Sequence, residues 1–316
     1  MTNLAPRLAL LLVLILTACG GSTPSAEAPP IDAPPPSASH TPLPTVTPLP
    51  QRTSRPTVTI PPTSTQVPRL EAPAFVDPRP LRISFQTPDG ITLRGYFYPA
   101  YRRNSPVVVL MHQFQGSQEL WHLEDSGFIA WLQNWPPSGG PPTPSALGML
   151  PPLDPNTTYN VMTFDFRGHG ESDGEVPQDS SQFIIDARAA YQAASTLPNV
   201  DPQRIVGIGT SIGADAVVNA CESNCRGAFS VSPGNYLGSN YSQSVSLLIE
   251  QQKPARCMYA VNDGPSPATC WSLAPGTYYK IFAYPGIKHG MAFFVPRKME
   301  SDFGVNIIEF LEEATK

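Results

Sequence analysis

Hydrophobic residues from position 81 onward fall into short runs separated by turns and by amphipathic segments. Two runs of alternating apolar and polar residues, Leu81–Gln86 and Ile91–Tyr98, flank Thr87-Pro88-Asp89-Gly90, which is typical of an antiparallel hairpin. Six more apolar runs follow, as expected of strands buried on both faces of a parallel sheet. They are Pro106–His112, Asn160–Phe166, Arg204–Gly209, Gly227–Ser232, Ala255–Asn262 and Tyr278–Tyr284.

Helical periodicity appears between these runs. In Ser181–Leu197 apolar side chains recur at helical spacing, and Ala214–Ala220 and Met299–Ala314 are also predicted helices. A hairpin followed by βαβ units predicts an α/β fold, a doubly wound and mostly parallel sheet of about eight strands. We expect this sheet to occupy one globular domain, residues 81–316.

The first eighty residues have a different character. Arg7 precedes nine consecutive apolar residues, Leu8–Leu16, a run typical of a signal peptide and too short to span a bilayer. Leu16-Thr17-Ala18-Cys19 resembles the bacterial lipobox, which implies removal of residues 1–18 and lipidation of Cys19. An ordinary cleaved signal peptide or an uncleaved short anchor is the alternative.

Seventeen of the 39 prolines lie between positions 20 and 80. Proline lacks a backbone N–H and fixes φ, so this segment favours an extended chain over helix or sheet. Residues 19–80 are therefore predicted to be a disordered Pro/Thr-rich tether, with a proline-recognition ligand as the alternative. Together these features predict an extracytoplasmic protein anchored to the bacterial membrane by its N-terminal lipid.

Charge and motif content restrict the partners. The net charge is −5 and no lysine or arginine cluster occurs, which argues against a nucleic-acid partner. No phosphate-binding loop, dinucleotide fingerprint or metal-ligand cluster is present in the sequence, so we expect no cofactor and no metal.

Four cysteines remain after Cys19, and disulfides persist outside the cytoplasm. They are Cys221, Cys225, Cys257 and Cys270. Three pairings are possible. We favour the two local ones, because each joins cysteines close in sequence, and the second would brace the loop around residue 263. Buried free thiols are an alternative; a zinc site is disfavoured because no CxxC pair or neighbouring histidine occurs.

The clearest chemical motif follows the predicted strand at Arg204. Gly209-Thr210-Ser211-Ile212-Gly213 lies between that strand and a predicted helix. The order strand, G-x-S-x-G, helix is the nucleophile elbow, whose tight turn requires small residues two positions before and after the serine. Ser211 is therefore the candidate nucleophile, with a glycine-rich β-to-α turn as the alternative.

This arrangement resembles the α/β-hydrolase superfamily, in particular its dienelactone hydrolase-like and prolyl-peptidase-like esterases. The resemblance covers most of residues 81–316 and implies the chain order serine, acid, histidine. His289 is the single histidine after Ser211, and Asp263 is the single acid between Cys257 and His289. We therefore expect His289 to be the base and Asp263 to orient it. A surface-loop histidine and an Asp-Gly turn are the alternatives.

The resemblance also implies an oxyanion hole formed by two backbone N–H groups. One belongs to Ile212, the residue after the nucleophile, and the other to the loop after the strand at Pro106, where Phe114 is the expected donor. Gln113 is the alternative donor, because Gln113 and Gln115 stand where glycines often occur in related loops.

Two further segments have expected roles. Residues 165–172 resemble the family pattern D-x-R-G-x-G-x-S, and we expect this loop to be structural, with Asp165 paired to Arg167. The long connection 131–158 is either a flap over the site, with Trp131 or Trp135 lining an acyl pocket, or a disordered surface excursion.

The predicted function is a serine hydrolase that acts on a small-molecule ester or acyl compound through an acyl-enzyme. A carboxylesterase is favoured, and a peptidase or amidase would use the same machinery. The alternative class is a hydrolase fold that serves as a surface binding lipoprotein without turnover.

Overall fold

The computed structural model describes residues 79–122, 127–136 and 150–316. The predicted signal peptide 1–18, the lipidation site Cys19 and the tether up to residue 78 lie outside the described residues. So do residues 137–149 of the long connection. None of the helices in the described ranges is long and apolar enough to cross a membrane.

In the described ranges, eight strands form one sheet in the order β1-β2-β4-β3-β5-β6-β7-β8. The strands are β1 Leu81–Gln86, β2 Thr92–Tyr98, β3 Ser105–Met111, β4 Asn160–Phe164, β5 Val200–Thr210, β6 Ala228–Val231, β7 Ala255–Ala260 and β8 Tyr279–Tyr284. β1 pairs antiparallel with β2, β2 pairs antiparallel with β4, and the remaining neighbours are parallel. The predicted fold class, a mostly parallel sheet with an N-terminal antiparallel hairpin, is confirmed.

In the described ranges, five α-helices lie between strands and a sixth follows the last strand, β8. They are α1 Phe128–Gln133, α2 Gln182–Ala194, α3 Ile212–Asn219, α4 Tyr241–Glu250, α5 Ser266–Cys270 and α6 Phe303–Ala314. The last helix begins four residues later than the predicted start at Met299, because Met299 has an extended backbone, with φ −61° and ψ 142°, after a short 3-10 turn at Pro296–Lys298.

Hydrophobic packing covers both faces of the sheet. In β3 the side chains of Val107 and Val109 join the layer that contains α2 and α3, whereas Val108 and Leu110 join the layer that contains α1 and α6. Successive residues of a strand point to opposite faces, so a strand covered on both sides must be apolar throughout. Burial of each such side chain contributes about 1.5–3 kcal/mol.

Two disulfides lie on the α2–α3 side of the sheet. Cys221 is bonded to Cys225 with 4.9 Å between Cα atoms, and Cys257 is bonded to Cys270 with 5.7 Å between Cα atoms. These are the two local pairings. The second bond joins β7 to α5 and so closes the loop that contains Asp263.

The parallel strands place one set of loops at a common edge. The carboxyl ends of β3, β5, β6, β7 and β8 all lie at this edge, where ligands bind in open α/β sheets. The loops that follow these strands carry the candidate catalytic residues.

Candidate active site

Ser211 occupies a strained turn between β5 and α3. Its backbone has φ 54° and ψ −116°, a conformation that costs a non-glycine residue about 1–3 kcal/mol. Neighbouring elements hold it there: the Ser211 N–H donates to Val231 O at 2.9 Å, and the Ser211 carbonyl accepts the N–H of Ala214 at 2.9 Å. Strand β6 and the first turn of α3 thus fix the serine at the edge of the sheet.

The two glycines that flank Ser211 have no room for a side chain. A Cβ on Gly209 would lie 2.1 Å from the carbonyl oxygen of Gly213, and a Cβ on Gly213 would lie 2.3 Å from the carbonyl oxygen of Met111. Both contacts are with backbone, which cannot move aside as a flexible side chain can. The G-x-S-x-G spacing is therefore a steric requirement of this turn.

Asp263 and His289 form a hydrogen-bonded pair at the same edge. The Nδ1 atom of His289 lies 2.7 Å from Asp263 Oδ1; the histidine side chain is 39% exposed and the aspartate side chain 6%. A carboxylate at Nδ1 fixes the proton on that nitrogen and leaves Nε2 free to exchange protons. Ser211 and His289 line one cavity, and in the described part of the chain no hydrogen bond joins their side chains.

The backbone immediately after His289 is held by two side chains from other loops. The N–H of Gly290 donates to Ser232 Oγ at 2.9 Å, and the N–H of Met291 donates to Gln113 Oε1 at 2.9 Å. Sequence reasoning considered Gln113 for its backbone N–H alone and missed Ser232. The available signal was that Ser232 directly follows β6, the strand next to β5, at the edge where the candidate site residues lie.

Phe114 and Ile212 line the cavity beside Ser211. Within the described ranges neither backbone N–H has a hydrogen-bond partner, so both are available to a developing oxyanion. The carbonyl of the Gln113–Phe114 peptide accepts the N–H of Gly116 at 3.1 Å, which restrains the orientation of the Phe114 N–H. Phe114 lines the cavity and Gln113 does not; the Gln113 side chain instead accepts the N–H of Met291.

A neutral histidine supports the same peptide. His112 is fully buried; its Nδ1 lies 2.8 Å from Gln113 O, and its Nε2 accepts the N–H of Phe166 at 3.0 Å. A carbonyl can only accept and an N–H can only donate, so the proton is on Nδ1. Burial lowers the pKa of His112 to about 3, against the hydrogen bond to Gln113, which raises it.

The loop after β4 is structural, but the expected pairing of Asp165 with Arg167 is wrong. The Arg167 guanidinium pairs with Asp186 at 2.8 Å and with Asp89 at 2.7 Å. Asp165 accepts the backbone N–H groups of Gln118 at 2.7 Å and Glu171 at 2.9 Å. The two side chains thus brace different parts of the surrounding loops.

The two tryptophans of the long connection are not in the cavity. Trp131 is buried and donates from Nε1 to Pro151 O at 2.7 Å; Trp135 donates from Nε1 to Pro99 O at 3.0 Å. The expectation that either lines an acyl pocket is wrong, because both indoles are engaged by backbone carbonyls elsewhere. The part of the connection at residues 137–149 lies outside the described residues.

The cavity at Ser211 has a volume of about 370 Å³. It is lined by Phe114, Val176, Pro177, Ser180, Phe183, Ser211, Ile212, Tyr236 and His289. The loop at Tyr236 is held by Asp215, which accepts the N–H groups of Gly234 and Tyr236, and by Ser180 Oγ, which donates to Tyr236 O at 2.8 Å. No group of three or more His, Cys, Asp or Glu side chains in the described ranges could hold a metal ion.

Solved structures show where this architecture recurs. A Pyrococcus furiosus esterase, Pf2001, superimposes with a TM-score of 0.55 at 17% identity, over 79% of this chain and 99% of the esterase. The α/β hydrolase GrgF from Penicillium sp. sh18 superimposes with a TM-score of 0.52 at 15% identity, over 75% of this chain and 99% of its own. The described chain has the α/β-hydrolase fold.

Sequence relatives match a part of this fold. A polyketide transferase of Stachybotrys chlorohalonatus, ATR5, is 30% identical over 141 residues, which are 44% of this chain and 38% of the relative. Protein YfhR of Salmonella typhi is 26% identical over 150 residues, 46% of this chain and 41% of the relative. The chain thus spans about two fifths of the length of these relatives. No family model matches the chain.

Proposed function

We propose that this protein is a serine hydrolase that cleaves carboxylic esters through an acyl-enzyme on Ser211. We further propose that the acyl group of its substrate carries no charged substituent. The observation that carries the proposal is the elbow itself. A serine at φ 54° between two sterically required glycines lines the same cavity as a histidine that is hydrogen-bonded to a buried aspartate. Similarity of fold to an esterase is consistent with this proposal.

Each step has a group to perform it. Ser211 Oγ attacks the ester carbonyl carbon while His289 Nε2 accepts the hydroxyl proton, and Asp263 stabilises the resulting imidazolium. The carbonyl oxygen becomes an oxyanion that accepts the N–H groups of Ile212 and Phe114. Collapse breaks the bond to the alkoxy group, which leaves as the alcohol with the proton from His289. Water then attacks the acyl-enzyme by the same route and releases the acid.

The cavity lining supports an uncharged acyl group. Among the described residues that line it, His289 is titratable, none is Asp, Glu, Lys or Arg, and most are aromatic or aliphatic. A charged group would lose its hydration there without gaining a partner, at a cost of several kcal/mol. Phe114, Val176 and Ile212 are among the apolar residues of this lining.

A panel of p-nitrophenyl esters tests this proposal with the full-length chain. We expect hydrolysis of acetate and butyrate esters, at least 100-fold lower kcat/KM for a hemisuccinate ester of similar size, and loss of turnover in Ser211→Ala. Ester turnover by Ser211→Ala equal to wild type, or none by wild type, would refute it. Preferential cleavage of p-nitroanilides would identify an amidase, and no turnover of either class would favour a binding module.

We also propose that the hydrolase is tethered outside the cytoplasm by lipid on Cys19, because residues 16–19 match a lipobox and a proline-rich segment follows. Cell fractionation of the bacterium tests this. Wild type is expected in the membrane fraction, and mass spectrometry of its N-terminal peptide should show a chain that begins at acylated Cys19. A membrane-bound wild type without acyl groups on Cys19 would rule out lipid anchoring at this position.

A further inference from the structure

His169, in the loop after β4, contacts the loop that carries the second oxyanion donor. The imidazole is buried and is engaged at both nitrogens: Nδ1 lies 3.0 Å from Arg167 O, and Nε2 lies 3.3 Å from the backbone nitrogen of Gln115. The ring also packs edge-on against Phe114 and Phe183, with centroid distances of 5.5 and 5.7 Å. His169 thus contacts this loop by both a hydrogen bond and ring packing.

The two polar partners determine the tautomer of His169. The carbonyl of Arg167 can only accept a hydrogen bond, so Nδ1 carries the proton; the N–H of Gln115 can only donate, so Nε2 is unprotonated. The neutral ring with Nδ1–H satisfies both contacts at once. Its acceptor nitrogen is therefore occupied by Gln115 and is not free to serve as the base for Ser211.

The bonded residue, Gln115, has a backbone that needs support. Its φ is 57°, in the left-handed region that a residue with a Cβ adopts at an energetic cost. Such conformations persist where the surroundings hold them. The hydrogen bond from Gln115 N–H to His169 supplies this support one residue after Phe114, whose own N–H has no partner among the described residues.

We propose that His169 is a positioning residue for the oxyanion hole: by accepting the Gln115 N–H, it keeps the Phe114 N–H directed at the reacting carbonyl. This role rests on the proposed ester hydrolysis at Ser211. The oxyanion exists only in the transition state and intermediate. Loss of the hydrogen bond between Gln115 N–H and His169 is therefore expected to lower kcat and leave KM nearly unchanged. A displacement of about 1 Å at such a site can cost about 100-fold in rate.

Two amide variants of similar polarity separate the hydrogen bonds of His169. His169→Gln places an acceptor within reach of Gln115, whereas His169→Asn is shorter and can satisfy only the Arg167 carbonyl. We expect kcat for p-nitrophenyl butyrate to fall about 10- to 100-fold in His169→Asn, with KM within about twofold, and to stay within about threefold of wild type in His169→Gln. Wild-type kcat in the Asn variant, or equal losses in both, would overturn the proposal.

Hydrogen exchange gives a readout that does not depend on turnover. In the full-length chain, the amide of Gln115 is expected to be protected in wild type and His169→Gln and to exchange rapidly in His169→Asn. Equal exchange in all three forms overturns the His169 contact even if ester hydrolysis is found. A wild-type chain that protects this amide but hydrolyses no ester instead refutes the proposed function, and the positioning role of His169 with it.

Discussion

Acidification from pH 7.5 to pH 5.0 should reduce the free energy of unfolding through His112. The pKa of this fully buried ring is lowered from 6.5 to about 3, so below pH 6.5 the unfolded chain binds a proton that the native chain does not. Stability from this group is therefore present above pH 6.5 and is lost as the pH falls. For these two pKa values, the linkage relation gives a loss of about 2 kcal/mol between pH 7.5 and 5.0.

Urea unfolding followed by tryptophan fluorescence measures this loss at both pH values, with His112→Asn as the control. Other groups titrate in the same range; burial, for example, raises the pKa of Asp215 to about 7. They contribute equally to both proteins, so the pH-dependent loss should be about 2 kcal/mol larger in wild type than in the variant.

A His112 contribution to the free energy of unfolding that grows as the pH falls would refute the assignment of a neutral ring. His112 Nε2 lies 4.0 Å from Asp165 Oδ1, and an imidazolium paired with that carboxylate would gain stability as the pH falls. The hydrogen bond from Phe166 N–H to Nε2 argues against a proton there. A pH-dependent loss no larger in wild type than in His112→Asn would mean that the native ring binds a proton by pH 5.0 as the unfolded chain does.

Three further perturbations test the site and its frame. Asp263→Asn should lower kcat for esters about 10⁴-fold with KM nearly unchanged, since an amide favours the wrong tautomer of His289. A kcat within tenfold of wild type would exclude Asp263 as the orienting acid. Gly213→Ala should destabilise the domain by at least about 1–3 kcal/mol in urea unfolding and abolish turnover, because the alanine Cβ would overlap a backbone carbonyl. A fully active variant would show that the turn at Ser211 does not require a glycine at position 213. Replacing Cys257 and Cys270 by alanine should lower the free energy of unfolding by about 3 kcal/mol, and replacing Cys221 and Cys225 should lower it by about 2 kcal/mol. The first loss is larger because that disulfide closes a longer loop and so restricts the unfolded chain more. Equal losses, or the reverse order, would contradict this reasoning.

The local pattern of hydrophobic and polar residues was sufficient to predict the sheet. The runs that became β3, β4, β6 and β7 are buried at every position because both faces of the sheet are covered there. The hairpin strand β1 alternates because one of its faces is less covered. The short helix Ser266–Cys270 was not predicted, since five residues that include a proline show no helical periodicity. The delayed start of α6 was missed because Met299 looks compatible with a helix but is extended.

Long-range partners could not be predicted from spacing. Arg167 bonds to Asp89, 78 residues earlier, and Gln113 bonds to Met291, 178 residues later. Such pairs depend on which loops the fold brings together, and they cannot be predicted from the neighbouring residues in the sequence. The order serine, acid, histidine came from family resemblance, whereas the Asp263–His289 hydrogen bond is an observation of the structure.

Mass spectrometric mapping of a fluorophosphonate adduct tests whether Ser211 is an activated nucleophile. The reagent should phosphonylate the full-length chain with loss of fluoride, and the mass increase should map to the peptide that contains Ser211 and be absent from Ser211→Ala. An unlabelled wild-type chain, or equal labelling of Ser211→Ala, would show that this serine is not the nucleophile.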